Sequence, residues 1–164
     1  LDARFEETEQ DIATHKAENV TLTEVHGLRI EKGTFTPIIF GATVAGVNTY
    51  SSQKGSYTKI GKLVFIDLQI LLSAKDANMS GNLRIGGLPF TISAAGANAN
   101  PNFTIGYIAN VNYGDYKGIG VYGFNNQTFL ECTTIKDSTV PGILNVNDIT
   151  DSFRIYLSGQ HSIL

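Results

Sequence analysis

Several residue types are scarce in this 164-residue chain, and each scarcity excludes a class of protein. The single cysteine, Cys132, excludes an internal disulfide framework and a zinc site built from cysteines of one chain. It alternates with Leu130 and Thr134 in a predicted strand, so we expect a small buried apolar residue there. No apolar run approaches the ~20 residues that cross a bilayer, so no membrane insertion is expected. Hydrophobic content of 42% against 16% charged residues predicts a folded chain with a real core.

Charge is sparse and unevenly distributed along the chain. Residues 1–32 contain eight acidic and four basic residues, a net charge of −4, and residues 33–164 contain seven acidic and eight basic residues, a net charge of +1. No surface of the second part can therefore be strongly basic, which argues against a nucleic-acid partner. The nearly neutral charge of residues 33–164 favours an uncharged or mixed-charge ligand over a polyanion.

Groups that carry catalysis are few, and we predict no catalytic residues, no metal site and no cofactor. Beyond residue 26 the only histidine is His161, near the end of the chain, where a base is poorly held. No nucleophile elbow, zinc-protease helix or phosphate loop occurs. Asp67 interrupts an apolar run, and strand alternation places it with Phe65 and Gln69 on a half-exposed face. The chain is therefore not expected to be an enzyme.

A seam of eight residues with spacings of three and four, only half of them apolar, runs through the first 26 residues. In heptad terms four of its members are a positions and four are d positions. They are Leu1, Phe5, Thr8, Ile12, His15, Asn19, Leu22 and His26. This pattern predicts an α-helical coiled-coil stalk over residues 1–26, whose polar layers weaken association while fixing its register. Whether the His15 layer holds an ion stays open.

After Gly27, a plausible helix terminator, the pattern changes to short alternating apolar runs between turn residues. We predict a linker over residues 27–33 and a mainly β head over residues 34–164. Eight strands are expected, at 34–40, 56–60, 62–73, 82–85, 105–111, 118–124, 128–135 and 153–158. Their number and spacing indicate an antiparallel β-sandwich or jelly roll. Phe153, Ile155 and Leu157 alternate cleanly and place the last strand in the core.

One part of the head is rich in tyrosine and amide side chains, which together suit a sugar. A tyrosine ring packs on the C–H face of a sugar, and planar amides and carboxylates bind its hydroxyls. The predicted glycan-binding residues are Tyr107, Asn110, Asn112, Tyr113, Asp115, Tyr116, Tyr122, Asn125, Asn126 and Gln127. The alternative is that these residues are ordinary β-turn material.

Three segments resemble a recurrent pattern in known viral proteins. They are GTFTP at residues 33–37, GSYTKIGKLV at 55–64 and GNLRIGGLPF at 81–90. They look like the C-terminal heads of phage tail-fibre and baseplate receptor-binding proteins from phages and prophages of Gram-positive bacteria, Listeria phages among them. The resemblance covers residues 33–90 and the style of the stalk. Phe35 stands where related sequences often carry Trp, and Lys62 where Asn is common.

The resemblance implies a homotrimer in the distal tail of a virion, at the baseplate or fibre tip. Its partners would be a host cell-wall glycan, such as teichoic acid or another polysaccharide, and the rest of the tail through its N-terminal side. Within the matched segments Tyr57, Gly61 and Pro89 look architectural. Two alternatives remain: a tailspike-like depolymerase with carboxylates such as Asp67 and Glu131 assembled across subunits, and a purely structural trimeric capping module.

Overall fold

The computed structural model describes residues 24–25, 28–93, 100–136 and 141–163, and most of these lie in β-strands. The elements are β1 (Glu24–Val25), β2 (Leu28–Phe35), β3 (Ile38–Gly41), β4 (Thr49–Ile60), β5 (Leu63–Ala74), β6 (Leu83–Gly86), β7 (Asn102–Val111), β8 (Gly118–Gly123), β9 (Leu130–Ile135), β10 (Gly142–Ile143), a 3₁₀ turn (Val146–Asp148) and β11 (Ile149–Ser162). All strand pairs are antiparallel. The predicted mainly β, antiparallel class is confirmed.

One continuous sheet contains all the strands. Its order is β1-β2-β4-β5-β11-β7-β8-β9-β6-β3, and β10 pairs with β9 outside this path. The 14-residue strand β11 is central and pairs with β5 on one side and β7 on the other. The predicted sandwich is therefore a single curled sheet whose two halves are joined through β7 and β8.

The inner face of the curled sheet carries one hydrophobic core. Strand β5 supplies every second residue to it, since Val64, Ile66, Leu68, Ile70 and Leu72 are all buried. The last strand does the same with its own alternating residues, as its sequence predicts. Fully burying a Leu or Ile side chain contributes ~1.5–3 kcal/mol, so this alternation fixes which face of each strand points inward.

The side chains of Asn48 and of Tyr50 and Gln53 on β4 bind backbone groups of β3 and of Pro37 just before it. The Tyr50 hydroxyl accepts from the backbone N–H of Ile39 at 3.0 Å, and Asn48 Nδ2 donates to the carbonyl of Ile39 at 2.8 Å. Gln53 Nε2 donates to the carbonyl of Pro37 at 2.9 Å. An open strand edge offers backbone groups to other chains, and these three side chains occupy it.

The sequence located most strands but not all of their ends. The sequence predicts no strand between residues 40 and 56, yet β4 begins at Thr49, because pairing with β5 extends a polar, Ser-rich stretch that has no strand signal of its own. The single predicted strand 34–40 is two strands, β2 and β3, separated by Thr36 and Pro37. Proline has no N–H to donate to a ladder, which favours the break there.

The predicted stalk lies outside the described residues up to position 23. Within the predicted stalk, Glu24 and Val25 form strand β1 and pair antiparallel with Arg29 and Leu28, so these two residues are strand and not helix. The predicted linker 27–33 is likewise mostly strand β2. The coiled coil and the trimer stay predictions. In the described part of the chain, no helix is long and apolar enough to cross a membrane.

Candidate functional site

Two rows of polar side chains cross the outer face of the sheet. The hydroxyl row follows the strand register from β2 to β7 and contains Thr34, Ser56, Asp67, Ser158 and Thr104. The tyrosine row lies beside it and contains Lys54, Gln69, Tyr156 and Tyr107. Directly opposed side chains on one face of a sheet lie ≈ 4.5–5.5 Å apart, so each row is a continuous polar line.

An open groove of about 760 Å³ lies over these rows. Its lining is Thr34, Phe35, Thr36, Gln53, Lys54, Gly55, Ser56, Asp67, Leu68, Gln69, Gly106, Tyr156, Leu157 and Ser158. The volume falls within the ≈ 300–1,000 Å³ that small-ligand sites occupy. The groove can therefore receive one or two sugar-sized units along the outer face.

A pair of tyrosine rings forms one side of this site. The centroids of Tyr107 and Tyr156 are 5.2 Å apart, with the planes tilted by 39°. The Tyr156 hydroxyl accepts from Gln69 Nε2 at 3.4 Å, and Tyr107 remains 46% exposed. A register shift on β7 leaves Gly106 unpaired, and such a bulge re-aims the following side chain. The bulge turns Tyr107 to the outer face beside Tyr156.

Among the residues that the structure describes, Asp67 is the one carboxylate that lines the groove. Its alternation with buried Ile66 and Leu68 places it on the outer face, as the sequence predicts. Among the described residues, no hydrogen bond or ion pair engages the side chains of Asp67, Lys54 or Ser56. These groups are therefore available to a ligand.

Glu131, the second candidate acid, has a different environment. It lies on β9, and β11, β7 and β8 stand between that strand and β5 in the sheet. Its side chain is only 2% exposed, and its Oε2 accepts from Arg84 Nε at 2.9 Å. The Phe129 ring covers the Arg84 guanidinium at 4.3 Å. Within one chain the structure does not bring Asp67 and Glu131 together, and Glu131 is occupied by its ion pair.

Tyr122 is bound to the same ion pair. Its hydroxyl lies 3.5 Å from Glu131 Oε1, and its ring packs on Phe124 with centroids 4.8 Å apart. Burial, and then the neighbouring Glu131 charge, raise the pKa of Tyr122 above its ordinary value. Tyr122, which was predicted to bind a sugar, is thus part of a half-buried aromatic cluster.

The predicted tyrosine and amide cluster divides into separate groups. The β7–β8 loop holds Asn112, Tyr113, Asp115 and Tyr116, and the β8–β9 loop at the opposite end of β8 holds Asn125, Asn126 and Gln127. Consecutive residues of a strand advance ~3.3 Å, so the six residues of β8 separate the two loops by about 17 Å. One small ligand cannot contact both groups.

Several members of this cluster support the local backbone. Asn110 has a positive φ of 64° and donates through Nδ2 to the carbonyl of Ser152 at 2.7 Å. The Tyr116 hydroxyl donates to Asp148 Oδ2 at 3.2 Å, and burial is the main cause that raises its pKa. Asn126 also has a positive φ, of 62°. These residues fit the turn interpretation.

Most of the remaining residues of the predicted cluster are more accessible to a ligand. Asn112, Tyr113, Asp115 and Gln127 have exposed side chains. Asn125 Oδ1 is buried without a hydrogen-bond partner among the described residues. Of the ten predicted residues, Tyr107 alone has a described ring contact with a residue that lines the groove, and that residue is Tyr156.

His161 faces the inside of the sheet. It is 3% exposed, and its Nδ1 lies 3.0 Å from the carbonyl oxygen of Ser162. Burial lowers the pKa of its imidazole. Asp67 lies on the opposite face of the sheet, so the two do not form an acid–base pair.

Sequence reasoning did not identify the groove residues Lys54, Gln69, Tyr156 and Ser158. Each is an outward member of an alternating strand, which is the available local signal. Their assembly depends on pairing between β4, β5 and β11, where Gln69 and Tyr156 are 87 positions apart.

No protein-family model matches this chain, and no curated protein matches it. Among solved structures it is similar to the Dettilon tailspike protein, with a TM-score of 0.65 and 19% sequence identity. The similarity covers 81% of this chain and 24% of the tailspike chain, so this chain spans about a quarter of that protein's length. The likeness shows that the two share a fold.

Proposed function

We propose that this chain is a receptor-binding part of a phage tail, located at the distal baseplate or fibre tip. It adsorbs to cell-surface carbohydrate, such as wall teichoic acid or polysaccharide, without cleaving it. The fold shared with a tailspike protein and the three segments that resemble tail-fibre heads support this role.

The groove on the outer face is the observation that carries the proposal. Tyr156 and Tyr107 offer an aromatic surface to the C–H face of a sugar, and Gln69 and Ser158 offer hydrogen bonds to its edge. Unoccupied hydroxyl, carboxylate and ammonium groups in the same groove can exchange water for sugar hydroxyls. This chemistry replaces the tyrosine and amide cluster as the proposed centre of glycan binding.

The carboxylates favour binding over hydrolysis. A glycosidase needs two carboxyl groups, ≈ 5–5.5 Å apart for retention and ≈ 6.5–9.5 Å apart for inversion. In the described residues Asp67 lines the groove as its single carboxylate, and Glu131 is buried against Arg84 on another part of the sheet. A depolymerase would need a second acid that the described lining of the groove does not supply.

Association of copies would make weak sugar binding useful. We propose a homotrimer held together by residues 1–23, whose seam is the sequence's signal for self-association. Several identical grooves on one stalk raise the effective concentration of sites at a wall surface. The N-terminal side would then join the rest of the tail.

The test is adsorption of the labelled full chain to bacterial walls with and without their glycosyl decorations. Binding that is lost when the decoration is removed supports the proposal, and absence of binding to every wall contradicts it. Release of reducing ends from wall polysaccharide, abolished by Asp67→Asn, would instead identify a depolymerase. A stable trimer that binds no glycan would indicate a structural capping module.

A further inference from the structure

One end of the outer sheet face carries four adjoining apolar side chains, in contrast to the polar rows beside it, although Lys32, Thr58 and Gln160 share the cross-strand row of one of them. Ile30 on β2, Ile60 on β4 and Leu63 on β5 are in cross-strand register, and Phe65 is the next outward residue of β5. We call these four residues the apolar end. Ile30 is 40% exposed and Phe65 39% exposed, whereas the outward positions farther along β5 are Asp67 and Gln69. Apolar side chains grouped on an otherwise polar face mark a contact surface.

The apolar end lies where the chain enters the head. The hairpin of β1 and β2 pairs Glu24 with Arg29, the neighbour of Ile30. Residues 1–23 precede this hairpin and carry the predicted coiled-coil seam. Copies joined through that segment would have this end of every head close to the common axis.

We infer that the apolar end is the surface through which the head contacts a second copy of this chain. The inference rests on the self-association in the proposed function. Four side chains cover far less than the ≈ 800 Å² per partner of a standard interface. The contact therefore forms only after residues 1–23 hold the copies together, because tethering replaces the entropy cost of a separate encounter.

A cysteine cross-link can test this contact directly, because the native cysteine does not interfere. Cys132 is fully buried, and burial raises the pKa of its thiol to about 12, so it stays protonated and inaccessible. Phe65→Cys puts a reactive thiol in the apolar end. Ser73→Cys is the matched control, exposed on the same face of β5 and about 27 Å away at ~3.4 Å per residue.

A short bis-maleimide reagent is added to each full-length variant, and the products are separated on a denaturing gel. We expect covalent dimers from Phe65→Cys at a yield several-fold above that from Ser73→Cys, with light scattering showing an oligomer before the reaction. Equal yields from the two variants, no dimers from Phe65→Cys, or a monomer by light scattering would each overturn the inference.

The affinity of the groove for a soluble wall oligosaccharide tests the proposed function separately. Phe65→Glu is expected to leave this single-site affinity within twofold of the parent value, because Phe65 does not line the groove. The same substitution should lower adsorption to intact walls, where several grooves act together. Unchanged adsorption to walls would contradict the contact while leaving glycan binding in place.

Discussion

The Nε atom of Arg84 lies 2.9 Å from Oε2 of Glu131, whose side chain is almost completely buried on the outer face of β9. Phe129 covers the guanidinium from outside, and Phe40 meets the Phe129 ring edge-on at 6.0 Å. The pair is thus enclosed by aromatic rings. The Arg84 side chain is 26% exposed, whereas the Glu131 side chain is 2% exposed, so the carboxylate faces its partner and not solvent.

Removal of the cation should be costly. Arg84→Met leaves the buried Glu131 carboxylate without its partner, and we expect a loss of about 3 kcal/mol in the free energy of unfolding. The double variant Arg84→Met with Glu131→Gln removes the buried charge and should recover part of that loss. Urea denaturation measures both values. A loss below about 1 kcal/mol for Arg84→Met would show that water reaches the carboxylate.

The sequence predicted the class of the head because the inward positions repeat with period two. Burial of Ile155 and Leu157 confirms the predicted core strand, and full burial of Cys132 confirms its predicted packing role. Alternation is a local property that the residues of one strand carry themselves. The order of the strands is not local, and the single curled sheet was not predicted.

The groove was missed for the same reason. Asp67 was correctly assigned to an exposed face, yet nothing in its neighbourhood names Ser158 as its cross-strand partner. Conversely, tyrosine and asparagine side chains that are close in sequence diverge at the two ends of β8. Composition does not separate an exposed Tyr113 from a Tyr116 that is hydrogen-bonded to Asp148.

Glycan affinity should depend on the tyrosine row. Tyr156→Ala is expected to weaken binding to decorated walls about tenfold, a loss of about 1.4 kcal/mol in binding free energy, because it removes the aromatic surface of the groove. Tyr113→Ala is the matched control, an exposed tyrosine of the β7–β8 loop outside the groove. Titration of both variants with wall oligosaccharide measures the difference. Equal losses, or a loss confined to Tyr113→Ala, would return the site to the loop.

The loop before the core residue Leu88 needs a glycine. Gly87 has a φ of +80°, and a Cβ at this position would collide with the carbonyl oxygen of Thr36. Gly87→Ala should therefore destabilise the head by more than about 2 kcal/mol, since it adds a backbone clash to an unfavourable φ. Gly114→Ala is the control, with a φ of +48° and no atom within 4 Å of a built Cβ, and should cost about 1 kcal/mol. Thermal unfolding compares them, and similar losses would mean that the Thr36 carbonyl moves aside.

The stability of the head should fall as the pH drops below about 6.5, the ordinary histidine value. Burial lowers the pKa of His161, so in this range the unfolded chain binds a proton that the folded chain does not. The contribution is fully present above the unfolded pKa and is lost progressively towards the folded one. The pKa values of Asp76 and Glu31 are also shifted, but they are lowered from values that are already acidic, so these carboxyl groups affect stability only at lower pH.

Urea midpoints for the parent chain and His161→Gln between pH 7.5 and 5 separate the effect of His161 from that of the other histidines. The parent should lose stability more steeply than the variant, and parallel curves would show that the imidazole accepts a proton inside the fold without penalty.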